Sequence, residues 1–264
     1  MRTRWALAAL LLITLAATAI YGQRRFRSFD DEDDEPLITP ADAGEKTEFV
    51  FTRLRYPDDS GMRGWRGYWT MDYPKADRQF VQGVRRLSRV HVRSVENVVD
   101  LDSDEIYNWP WIYAVEVGHW DLTDRQARRL RDYLLRGGFL LVDDFHGSFE
   151  WEVFLSSLQR VFPDRSVVDI PKNDAAYRML WDIDEKVQIP GIVMFRSGRT
   201  YERDGIEPAW RGVYDDRGRL VLAICHNMDI GDAWEHADWP QYPERYSSLA
   251  YRIGINYIVY SMTH

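Results

Sequence analysis

Apolar and polar positions follow two different periods along this chain, and the switches between them mark its elements. Glu48–Leu54 (EFVFTRL) alternates as a first strand does. Ala76, Phe80, Val84 and Leu87 recur at helical spacing, and Val90–Val92 reads as a second strand. Trp111–Val117 is β-rich and apolar, the pattern of a strand covered on both faces. Thr123 with Gln126 three residues on is a capping box, and Ala127, Leu130 and Leu134 line one face of the helix it opens. Gly137-Gly138 ends that helix and Phe139–Val142 forms the next strand. Ser148 is placed to cap a further helix that buries Trp151, Phe154, Leu155, Leu158 and Phe162.

Strands alternating with helices imply an α/β fold with a mostly parallel sheet and helices on both faces. Towards the C-terminus, Val213–Tyr214 and Leu220–Cys225 flank Asp215–Gly218 as a hairpin, and a terminal helix from about Ser247 to Tyr260 is apolar on most sides and therefore buried.

The N-terminus reads differently. Arg2 and Arg4 precede an apolar run over residues 5–20, which ends near Ala17-Thr18-Ala19. This is the layout of a secretory signal cleaved near Ala19, and the run is also just long enough to stay as a membrane anchor. Residues 1–23 are thus expected to export the chain to the periplasmic side, secreted or membrane-anchored. Residues 24–47 carry the run Asp30–Glu35 and read as a disordered acidic spacer, leaving 48–264 as one domain.

Net charge is −8, which disfavours nucleic acid as a partner. The single cysteine, Cys225, excludes an internal disulfide and a cysteine-based zinc cage. On a strand it points away from its neighbour His226, so the two cannot act as a dyad there. The 11 tryptophans suit either a large aromatic core or a saccharide face.

Ligands of open α/β sheets bind at the carboxyl ends of strands. Two polar segments fall there. One holds Asp143, Asp144 and His146, the other His226, Asn227, Asp229, Asp232, Trp234 and Glu235. Arg53, Arg55 and Tyr56 follow the first strand. Adjacent carboxylates repel, so one of the pair Asp143/Asp144 should hold a raised pKa and welcome a cation or act as a base. Either would equally serve to cap the following helix. The Asp and His residues form a mixed oxygen and nitrogen donor set, but their spacing matches no metal motif, and the metal and cofactor stay unknown.

Phe51-x-Arg53-Leu54-x-Tyr56-Pro57, Tyr73-Pro74-x-Ala76-Asp77, Leu130-Arg131-x-Tyr133-Leu134-x-x-Gly137-Gly138-Phe139-Leu140, Asp143–Gly147, His226-Asn227-x-Asp229-x-Gly231-Asp232-x-Trp234-Glu235 and the terminal Met262-Thr263-His264 together resemble a bacterial domain-of-unknown-function family, number 4159. The resemblance covers about residues 48–264. That family is grouped with the class I glutamine-amidotransferase-like superfamily, so the resemblance implies a flavodoxin-like fold. Catalytic members of the superfamily carry a cysteine at a strand–helix elbow. The matching turn, Asp143–His146, has none, which argues against glutaminase or protease activity. Three functions remain open: an exported domain binding a saccharide or peptide, a carboxylate/His hydrolase with or without a metal, and a membrane-tethered scaffold for envelope proteins.

Overall fold

The computed structural model describes residues 40–58 and 67–264. Residues 1–23, read above as a signal or anchor, and the Asp30–Glu35 run lie outside the described residues. Among the described residues, no helix is long and apolar enough to cross a membrane.

Seven strands form one sheet: β1 (Thr52–Arg55), β2 (Asn97–Asp100), β3 (Trp111–Val115), β4 (Phe139–Asp143), β5 (Val168–Asp169), β6 (Ala209–Tyr214) and β7 (Leu220–His226), in the order β2-β1-β3-β4-β7-β6-β5. The pairs from β2 through to β7 are parallel. The hairpin of β6 and β7, and the short edge strand β5, are antiparallel. The order 2-1-3-4 followed by one more parallel strand is flavodoxin-like, and its switch point lies between β1 and β3.

The helices are α1 (Lys75–Leu87), α2 (Asp124–Leu135), α3 (Gly147–Val161), α4 (Ile192–Arg196), α5 (Ile230–Glu235) and α6 (Glu244–Thr263). The pleat sends alternate strand residues to opposite cores. Phe139 and Leu141 of β4 join Phe80 and Val84 of α1, Trp234 of α5 and Ile253 of α6 on one face. Leu140 and Val142 join Leu130 of α2 and Phe154 and Leu158 of α3 on the other. This explains why β3 and β4 are buried at every position and read as continuous apolar runs. Most of the tryptophans assigned a position serve these cores; Trp111, Trp120 and Trp234 are among the largest fully buried side chains.

Several expectations shift. The first strand is regular only over Thr52–Arg55, and Phe49 meets Val92 in a single bridge. The second strand is Asn97–Asp100 rather than Val90–Val92. The reason lies at Ser94, whose backbone N–H and hydroxyl are both drawn to Asp42 (2.9 and 2.8 Å), taking the intervening chain out of the ladder. Asp42 also brings the last part of the acidic stretch, from residue 40, onto the domain. Ser148 does not cap α3. The helix starts two residues earlier than a Ser148 cap would place it, at Gly147, with His146 at the N-cap position and no side-chain cap of its own. Glu150 of the helix's own first turn takes the N–H of His146, and acceptors from elsewhere take the next two: Asn227 Oδ1 that of Gly147 (2.8 Å) and Asp204 that of Ser148 (2.9 Å). The capping box Thr123–Gln126 is present with both halves made.

Candidate functional site

The ends of β4 and β7 are stitched together beyond the sheet. Asp144 N–H donates to Met228 O (3.2 Å) and Asn227 N–H to Phe145 O (3.0 Å). The two polar segments read from the sequence therefore form one wall at the carboxyl edge of the parallel strands.

Asp143, the last residue of β4, is fully buried. Its Oδ2 accepts the N–H groups of Ile230 and Gly231 at the start of α5 (2.8 and 2.9 Å) and the hydroxyl of Tyr113 (3.2 Å). Its Oδ1 has no hydrogen-bond partner among the described residues, and neither has Asp72 Oδ2. Asp229 caps α5 through Asp232 N–H (2.7 Å). Asp72, Asp144 and Asp229 each bring one carboxylate oxygen within 4.8 Å of the other two. Two glycines leave room for this convergence. A Cβ on Gly231 would lie 2.8 Å from the Tyr113 hydroxyl and 2.9 Å from Asp72 Oδ2, and one on Gly191 would lie 2.6 Å from Asp229 Oδ2.

Burial and mutual repulsion hold these carboxyls far from their ordinary state. Asp72, Asp143, Asp144 and Asp229 are all raised well above the usual aspartate range, by desolvation first and by neighbouring carboxylates second: Asp232 acts on Asp72 and Asp144, and Asp144 on Asp143 and Asp229. Glu116, at the end of β3, is pushed up to about 9 by burial and by Asp144 and Glu150. The opposing charge nearest the cluster is Arg53, which lowers Asp72 and Asp144. A cluster of this kind is stable either by holding protons or by holding a cation.

The backbone is strained at the same place. Among the described residues, left-handed φ at a non-glycine occurs at Asp72 (58°), Glu116 (53°), Asp144 (53°), Arg203 (50°) and Asn227 (62°). Asp72, Glu116, Asp144 and Asn227 follow β1, β3, β4 and β7 respectively, and Arg203 reaches Glu150 of α3. Strain gathered at one edge of a sheet is a mark of function.

The family model for a domain of unknown function, DUF4159, matches residues 50–262. The chain belongs to the DUF4159 family. No curated protein matches it.

In this DUF4159 member the residues singled out from the sequence take distinct positions. His146 is buried, with Nε2 3.1 Å from Asp144 Oδ1 and Nδ1 without a partner. His226 packs against the rings of both Phe145 and Trp151, its Nε2 donates to Gly147 O (3.1 Å), and burial lowers its pKa to about 4, so it is neutral. Asn227 spans the gap, accepting from Gly147 and donating Nδ2–H to Glu207 O (2.8 Å). Asp232 accepts Ile192 N–H and pairs with His236 (3.1 Å), while Glu235 faces Lys75 at 4.0 Å. Trp234 is core, packed on Phe80 with ring centroids 4.2 Å apart.

Arg53, Arg55 and Tyr56 do not converge with these groups as free donors. Arg53 is fully buried; its guanidinium grips Asp77 and donates to the carbonyls of Trp69 (3.0 Å) and Met71 (2.8 Å), holding the turn that presents Asp72. Arg55 is exposed and paired with Asp100, and Tyr56 gives its hydroxyl to Val115 O (2.6 Å). Cys225 is buried in the face opposite His226's ring partners, and burial raises its thiol well above the ordinary value.

Sequence reasoning missed Asp72, Tyr113, Glu116 and Glu150. Asp72 directly precedes the Tyr73-Pro74 motif, a usable signal. Glu116 was read as a strand residue, though it is the polar end of an apolar run, where a site residue would stand.

Proposed function

We propose that this domain holds one divalent cation between Asp72, Asp144 and Asp229 and uses it to bind a small oxygen-bearing ligand, a saccharide or a peptide, without a cysteine nucleophile. The convergence of the three carboxylates carries this reading. With metal–oxygen distances of about 2.4 Å, oxygens sharing one ion lie at most about 4.8 Å apart, which is the span these three keep. An all-carboxylate set favours Mg²⁺, Ca²⁺ or Mn²⁺. The unpartnered oxygens of Asp72 and Asp143 and the space left by Gly231 and Gly191 fit a positively charged occupant.

A second reading, the hydrolase, is favoured by one contact. His146 Nε2 on Asp144 Oδ1 forms a buried acid–base pair beside the proposed cation. Membership of the glutamine-amidotransferase-like superfamily is likewise our proposal. It is supported by the strand order and by Asp144, which sits in left-handed conformation at the strand–helix elbow where a nucleophile would stand. The polar, charged meeting of the two segments gives no support to the scaffold reading. Action outside the cytoplasm is proposed on the arginine-flanked apolar run of residues 5–20 alone.

Elemental analysis of protein purified without chelator tests the reading. Stoichiometric divalent metal in the wild type, absent from Asp144→Asn/Asp229→Asn, is expected. Equal metal content in both would place any ion elsewhere.

A further inference from the structure

A cavity of about 560 Å³ lies away from the carboxylate cluster, between the segment 182–188 and one side of α6. Its floor is apolar, built from the buried side chains of Ile183, Leu249 and Tyr246. Its charged groups are unevenly committed. Asp182 and Asp184 are both held by Arg178 (3.1 and 2.8 Å). Arg245 and Arg252, one on either side of Leu249 along α6, make no ion pair among the described residues. Arg252 donates only Nε–H to Ser248 O (3.3 Å), and Arg245 lies over the Tyr246 ring, 4.5 Å from its centroid, and donates to the Tyr246 hydroxyl (2.7 Å). The lining thus holds two guanidiniums without an ion pair and one further carboxylate, Glu185, beside buried apolar side chains.

The cavity also has a fixed position relative to the cluster. Gln188 lines it, takes the Thr200 hydroxyl on Oε1 (2.9 Å) and gives Nε2–H to Gly205 O and Asn227 O (2.8 and 3.0 Å). The next residues form the wall of the carboxylate cluster: Ile189 O accepts Asp229 N–H (3.0 Å) and Gly191 lies under Asp229 and Asp232. One short segment therefore separates two polar sites of different charge.

We propose that this cavity is a second binding site, taking a small organic carboxylate with an apolar body. The carboxylate accepts from the guanidiniums of Arg245 and Arg252, whose planar fork suits it, and the apolar body lies on Ile183 and Leu249. Size agrees, since pockets of roughly 300–1,000 Å³ hold small molecules.

The test is calorimetric titration of the full chain with 3-phenylpropionate, and with 3-phenylpropanamide as the uncharged counterpart. Saturable binding of the carboxylate is expected, weakened about tenfold or more in the amide and in Arg245→Gln/Arg252→Gln, as loss of charge-assisted hydrogen bonds predicts. Arg245 is exposed and Arg252 half-buried, and neither holds an ion pair among the described residues, so the variant should fold; an unchanged thermal midpoint checks this, and the single substitutions, each giving a partial loss, serve as a second measure. Asp144→Asn/Asp229→Asn should bind the carboxylate as the wild type does, which separates this site from the proposed cation site. No binding of the carboxylate, equal binding of the amide, or full binding by the arginine variants would overturn the proposal.

Discussion

Asn227 Oδ1 accepts the N–H of Gly147 at 2.8 Å, closing the N-terminus of α3 from a residue on the end of β7. The same side chain donates to Glu207 O, so one amide joins three segments across the sheet edge. It does so from a left-handed backbone, a conformation that asparagine tolerates better than most residues. Asn227→Ala should therefore lose a cap and a buried hydrogen bond, at about 1–3 kcal/mol in chemical denaturation. Asn227→Gly recovers only the backbone part of that loss. Equal stability of the alanine variant and the wild type would show that the amide is not what holds α3 in place.

Arg53 and Asp77 form an ion pair with no exposure to solvent. Removing one partner strands the other charge, so Arg53→Met should cost about 3–5 kcal/mol. Replacing both, as Arg53→Met/Asp77→Leu, should restore much of that stability, because a buried pair is about as stable as an apolar isostere. The double variant should still bind cation poorly, since the carbonyls of Trp69 and Met71 lose the group that fixes the turn before Asp72. A double variant with wild-type cation affinity would remove Arg53 from the site's support.

The raised carboxyls set the pH dependence. Glu116 moves from 4.5 to about 9, and Asp72, Asp143, Asp144 and Asp229 move in the same direction, so the folded chain binds more protons than the unfolded chain over that window. Stability is then fully present below about pH 4 to 4.5 for these groups and falls as pH rises towards 9. Chelator-treated protein should show a thermal midpoint that declines between pH 6 and pH 9. Millimolar divalent cation should raise the midpoint more at pH 9 than at pH 6, because it replaces the protons. A midpoint that rises with pH in chelator would contradict the electrostatic account.

Gly231 is a steric test of the same convergence. The added methyl of Gly231→Ala would press on both the Tyr113 hydroxyl and Asp72 Oδ2. Cation affinity should drop about tenfold or more, as expected when the geometry around a metal ligand is disturbed, while the helical signal of the domain is retained. Unaltered affinity would mean that Asp72 is not a ligand.

How much of this was readable beforehand depends on the range of the interaction. Strands β3, β4 and β7 and the Thr123–Gln126 box declare themselves because their signals are local: continuous apolar runs, and a cap with its partner three residues on. The start of α3 did not, because its acceptors, Asn227 and Asp204, lie 80 and 56 residues away and arrive only through tertiary packing. Asp143, Asp144 and Asp229 were legible as polar breaks after apolar strands. Asp72 was not, since it ends a long aperiodic loop and is set in place by Arg53, itself a charged residue that sequence rules send to the surface.

The central claim is a divalent cation held by Asp72, Asp144 and Asp229, and calorimetric titration of the chelator-stripped chain with Mg²⁺, Mn²⁺ and Ca²⁺ tests it most directly. The account predicts one site per chain for at least one of these ions, tighter at pH 8 than at pH 6, and weakened more than about tenfold in Asp72→Asn, Asp144→Asn and Asp229→Asn separately. Absence of saturable binding at pH 8, or binding that survives all three substitutions, would contradict it.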